Sequence, residues 1–137
     1  MLQTFMPDDP TIRAAIKQDF VGFARTELAS RREVGLPPFA RMARLVIREQ
    51  EQEKLHTLSE KLAACINEAV AKEGGQVKMK GPMPCAISRI AGYYRNRIIL
   101  SSTSASRLQR VLAEARAKGG LAKSDRVAVD VDPVSLL

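Results

Sequence analysis

The chain contains no tryptophan, a single histidine and only two cysteines among its 137 residues. Aromatic residues make up 4% of the sequence, so its core must be built from Leu, Ile, Val and Ala with a few Phe and Met. No apolar run approaches the roughly 20 residues a membrane-spanning helix requires. The start, Met1-Leu2-Gln3-Thr4-Phe5, lacks the basic and apolar regions of a secretory leader. Cys65 and Cys85 stand twenty positions apart. They read as separate buried thiols of a reducing, cytoplasmic protein rather than as a disulfide or metal pair. His56, in Lys54-Leu55-His56-Thr57, has no acid or thiol at motif spacing and reads as a solvated helix residue. No G-x-x-x-x-G-K-[ST] loop is present to cradle a triphosphate. Asp130 and Asp132 lie on one strand face, but two carboxylates are too few for a divalent cation, and turn and cap hydrogen bonds account for them better. No catalytic residue, metal site or cofactor is therefore expected.

What is present is aliphatic pattern and positive charge. A hydrophobic content of 45% argues for one globular fold. The formal charge is +7, unevenly spread. Residues 1–50 carry eight basic and six acidic side chains, residues 51–80 five of each, and residues 81–137 nine basic and four acidic. Arginine dominates the last stretch, and its planar fork suits phosphate.

Asp9-Pro10 opens a helix expected to run to about Arg32, with Ile12, Ile16, Phe20, Phe23 and Leu28 at helical spacing. Leu36-Pro37-Pro38-Phe39 then reads as an extended, stiff hinge. Arg41–Arg48 alternates as a strand. Gln50–Glu73 is the clearest helix, ended by Gly74-Gly75. Gln76–Lys80 alternates again until Gly81-Pro82-Met83-Pro84 breaks it. A hairpin is expected next, with strands Ala86–Ile90 and Arg95–Ser102 joined through Ala91-Gly92-Tyr93-Tyr94. A helix capped by Ser104 or Ser106 and a last strand, Arg126–Asp132, complete the chain. The order reads β-α-β-β-α-β, an α+β plait of the ferredoxin-like kind with one extra N-terminal helix. Two units follow: residues 1–38, and a plait over 39–137.

Two amphipathic helices can cover one face of such a sheet. Ala43, Leu45, Ile47, Val77, Met79, Ile98, Leu100, Val127, Val129 and Val131 are placed on that covered face. Arg44, Arg48, Lys78, Lys80, Arg97, Ser101 and Arg126 are placed on the open one. A face so rich in cations attracts a phosphate backbone through counterion release. Tyr93 and Tyr94, beside Arg95 at the expected hairpin tip, suit stacking on unpaired bases. Charged residues on a solvated strand face are equally an ordinary property of sheets. Nothing in the pattern signals base specificity.

Four stretches carry a resemblance. They are Leu2–Pro10; Glu27–Arg32 with Leu36-Pro37-Pro38-Phe39; Gly81-Pro82-Met83-Pro84-Cys85-Ala86; and Tyr94–Leu100 with Asp130-Val131-Asp132-Pro133. Together, and in this order, they resemble the C-terminal region of PriA-type primosomal helicases over essentially the whole chain. The resemblance implies an ATP-dependent superfamily 2 helicase that recognises stalled forks and reloads the replicative helicase. The chain would then begin in mid-lobe, with Met1 an added start, and would lack the motor motifs, the paired-cysteine zinc motifs and the N-terminal fork-binding domain. The resemblance further implies a fold similar to a small-subunit ribosomal protein, and contact with forked or single-stranded DNA and with other primosome proteins. It also implies docking of the acidic tail of single-stranded DNA-binding protein at the start of the last helix. Gln109 matches a family position there, whereas Ala105 stands where some relatives carry Arg. Tyr93-Tyr94 likewise stands where some relatives carry tryptophans.

The expected DNA contacts are Arg44, Arg48, Lys78, Lys80, Arg89, Tyr93, Tyr94, Arg95 and Arg97. The alternative is a protein-docking module for the acidic tail or the helicase lobes, using Arg107, Gln109 and Arg110. A free-standing ribosomal-type RNA binder is disfavoured by the appended helix.

Overall fold

The computed structural model of the chain describes residues 3–121 and 125–133. It divides into two compact units, Met1–Phe39 and Ala40–Leu137. In the first, the single expected helix is two: α1, Pro10–Lys17, and α2, Phe20–Glu33. Asp9 caps α1 by accepting from the amides of Thr11 (2.7 Å) and Ile12 (3.4 Å), and Pro10 occupies the first turn. The break comes at Gln18, which adopts φ 55, and at Asp19, whose carboxylate accepts from the Gly22 amide at 2.8 Å. A competing cap inside the apolar pattern thus starts a second helix. Pro37-Pro38 does not extend the chain as expected. The peptide between them is cis, and the Phe39 amide donates to the Leu36 carbonyl at 3.0 Å, closing a turn.

The second unit is an α+β layer pair. Its elements are β1 (Arg41–Glu49), α3 (Gln52–Ala71), β2 (Val77–Ile90), β3 (Tyr93–Ser102), α4 (Ala105–Ala117) and β4 (Val127–Val131). The sheet has the order β2-β3-β1-β4, every neighbour antiparallel. Alternation puts Ala43, Leu45, Ile47, Val77, Ile98 and Leu100 against α3 and α4, where Leu62, Ile66, Leu108 and Leu112 complete a cluster closed to solvent. Burying each of the larger aliphatic side chains contributes about 1.5–3 kcal/mol. Met79, Val127 and Val129 pack on this cluster from its margin. Val131 shares the covered side with its partner Ala43 as expected, but at the end of edge strand β4 it remains 40% exposed. Cys85 is buried and Cys65 half-buried, both as free thiols.

The broken strand expected around Gly81-Pro82 is continuous. β2 runs through it, absorbing Pro82 and Pro84 with register shifts between Lys80 and Met83 and between Pro84 and Arg89. Prolines fit here because β2 is an edge strand. Gly81 makes the first shift possible. Its φ is 105, and a Cβ there would lie 2.7 Å from the Arg97 carbonyl oxygen. The hairpin turn is shorter than expected. Ala91 and Gly92, both at positive φ (49 and 83), join the strands in two residues, as tight hairpins require. Tyr93 and Tyr94 are consequently the first residues of β3 and not the tip.

Candidate nucleic-acid interface

The consequence for the two tyrosines is that they point to opposite sides of the sheet. Tyr93 shares the open face with Arg44, Arg48, Arg95 and Arg97, following the register Arg48↔Arg95 and Val46↔Arg97. The Arg48 guanidinium lies over the Tyr93 ring, 5.3 Å from its centroid. Tyr94 packs against the core on the helix side, where Asn96 donates to the buried Ser59 hydroxyl at 3.0 Å. Its cross-strand partner Arg89 covers the ring at 4.9 Å. The structure therefore separates Arg89 and Tyr94 from the open-face set with which they were expected to act. Lys78 and Lys80 are exposed on β2, opposite Ser101 and Ile99, and stay with the open face.

Beside Tyr93 a shallow depression of about 720 Å³ is lined by Arg44, Arg48, Arg95 and Arg126, with Val46 and Ile90 on its floor. Its far wall, beyond β1, is acidic. Arg44 pairs with Asp130 at 3.1 Å, and Arg126 with Glu49 at 3.1 Å. Arg48 donates to the Asp125 carbonyl at 2.7 Å and stands 3.8 Å from its carboxylate. At the strand's start Arg41 pairs with Asp132 at 2.7 Å, and Asp132 also accepts from the Met42 amide. The two C-terminal aspartates are thus occupied in ion pairs and a backbone hydrogen bond, and among the described residues no acid, histidine and cysteine cluster could hold a metal.

Sequence reasoning missed this neutralisation, since Glu49, Asp125, Asp130 and Asp132 meet the arginines only through strand pairing. It also passed over a signal that was open to it: the whole stretch from Val77 to Ser102 contains no Asp or Glu. Among the described residues no carboxylate pairs with Lys78, Lys80, Arg89 or Arg95.

The three residues of the docking alternative sit on α4. Ser104 occupies its N-cap position without a side-chain capping bond. Arg110 grips Glu73 with two hydrogen bonds, 2.9 and 2.8 Å, and Arg107 reaches the same carboxylate at 3.2 Å. Gln109 is exposed. The hydrogen bond from Arg110 holds the Glu73 carboxyl below the usual glutamate range, and Glu73 in turn raises the Arg110 guanidinium. Nearby, Lys118 bonds Glu68 at 2.6 Å and Lys72 bonds Glu114, lowering both carboxyls in the same way.

The sequence profile of the primosomal protein N C-terminal domain matches residues 32–134. The chain belongs to the PriA C-terminal-domain family. Its similarity extends beyond that domain boundary. Replication restart protein PriA of Treponema pallidum is 33% identical over all of this chain and a fifth (20%) of its own length. PriA of Haemophilus influenzae is 30% identical over 99% of this chain and 18% of its own, and PriA of Bacillus subtilis 26% identical over 100% and 17%. The chain thus spans about a fifth of the length of the PriA relatives it matches. Residues 1–31 lie outside the C-terminal-domain profile yet inside these longer matches. No helix among the described residues is long and apolar enough to cross a membrane.

Proposed function

We propose that this PriA C-terminal domain is a non-catalytic DNA-handling module of a replication-restart protein. It holds forked or single-stranded DNA through its phosphates and without sequence specificity, on the open face of a ferredoxin-like plait. Its parent is an ATP-dependent helicase of the cytoplasm, whose motor and other primosome partners lie outside this chain. The observation that carries the reading is Tyr93 beside Arg95 on the open face of β3, where no described carboxylate pairs with Arg95. A guanidinium next to an aromatic ring is the combination that holds phosphate and stacks on an unpaired base.

Phosphate binding of this kind weakens linearly in log K with log salt. Fluorescence anisotropy of labelled single-stranded, duplex and forked DNA across a salt series tests it. Binding that falls steeply with salt and is lost in R95E/R97E supports the reading, and absence of binding at low salt refutes it.

The alternative, docking of an acidic tail on Arg107, Gln109 and Arg110, meets an obstacle. Both guanidiniums already clasp Glu73. An incoming carboxylate has to displace an internal one, so charge reversal at Arg107 and Arg110 is expected to leave DNA binding intact.

A further inference from the structure

The sheet is electrically divided. On the β1–β4 side, counting the adjoining Asp125, Arg126 and Asp132, four arginines meet four carboxylates: Arg41 with Asp132, Arg44 with Asp130, Arg48 with Asp125 and Arg126 with Glu49. That half has no net charge. The β2–β3 hairpin, from Val77 to Ser102, carries Lys78, Lys80, Arg89, Arg95 and Arg97 and no acid. Its net charge is five positive, displayed on both of its faces because Arg89 stands on the side opposite Arg95.

We infer that single-stranded DNA is held along the β2–β3 hairpin, while the β1–β4 half is closed to phosphate by its own ion pairs. This rests on the DNA-handling reading above and narrows it to one ribbon. Exposed ion pairs are individually weak, so the discrimination does not lie in any single pair. It lies in the summed field, which is near zero over one half and strongly positive over the other, and a polyanion follows the field. Tyr93, the first residue of β3 and on the open face, offers a ring for a base at the turn end of the track. Asp125 and Asp130 become negative determinants of position: they keep the strand off β4.

The test is fluorescence anisotropy of the full chain with a labelled oligothymidylate and a duplex of equal length. For a single strand the salt slope is about −0.7 per phosphate neutralised, giving about −2 for Lys78, Lys80 and Arg95 on the open face and about −5 if the four paired arginines also engage. K78E/K80E is expected to weaken binding by about tenfold or more at about 50 mM salt, and R44Q/R126Q by less than about threefold. D125N/D130N, which leaves every arginine in place, is expected to bind more tightly and with a steeper slope. Equal losses in K78E/K80E and R44Q/R126Q, a wild-type slope near about −5, or no gain in D125N/D130N would overturn the hairpin track while leaving DNA handling intact. Tighter binding of the duplex would overturn the single-strand assignment. No binding of either DNA by the wild type sinks the inference and the proposed function together.

Discussion

Glu73 lies just beyond the end of α3 and receives Arg110 of α4 through two hydrogen bonds, 2.9 and 2.8 Å long. This bond, with the third from Arg107, ties the two helices that cover the sheet. Because Arg110 depresses the folded-state carboxyl below its ordinary value of 4.5, the bond stabilises the fold at pH values above the unfolded pKa. That stability is lost as pH falls through the lower, folded value. E73Q is therefore expected to be less stable than wild type at neutral pH and to converge with it under acid conditions. Urea midpoints measured across a pH series check this, and a difference independent of pH would disprove it.

Tyr93 and Tyr94 should separate in function because they face opposite sides of β3. Y93A removes a half-buried ring of the open face that lies under the Arg48 guanidinium and outside the core cluster. It should leave the thermal midpoint nearly unchanged while weakening single-strand binding by about 1–3 kcal/mol, the usual value of one stacked base. Y94A removes a ring packed on the core, and it should lower the midpoint by several degrees. Parallel melts and anisotropy titrations distinguish the two.

Gly81 is the position least tolerant of a side chain. Ala there must adopt φ 105 and place its Cβ 2.7 Å from the Arg97 carbonyl. G81A is expected to lose about 1–3 kcal/mol. Its amide spectrum should shift first around Lys80–Met83 and Arg97. A stability equal to wild type would show that β2 can re-register without its glycine.

Leu45 and Ile98 are paired across β1 and β3, and neither is accessible to solvent. L45A should cost about 2–5 kcal/mol, because the β-sheet floor cannot collapse into the space left. I98V should cost about 0.5–1.5 kcal/mol. Denaturant unfolding of both variants gives the comparison.

Strong local periodicity made the secondary structure readable. The strands Arg41–Arg48 and Arg126–Asp132 and the helix Gln50–Glu73 differ from the observed elements by no more than two residues at either end, since alternation and helical spacing are properties of neighbouring residues. The errors arose where one polar atom competes with a pattern. Asp19 capped a second helix inside an apolar repeat. Gly81 let a strand pass through Pro82 and Pro84 rather than stop.

By itself the sequence determined that this is an α+β domain with an aliphatic core, and that its cations crowd an acid-free stretch between Val77 and Ser102. Those facts are local and survive any arrangement of the chain. Only the tertiary structure decided which arginines remain available. Arg41 and Asp132 are 91 positions apart, and Arg44 and Asp130 are 86. Each pair exists because the shared core face of β1 and β4 fixes their register. A two-residue turn then decided which tyrosine faces the open side. Shifting a strand by one residue exchanges its faces, so these assignments depend on long-range packing that no local pattern encodes.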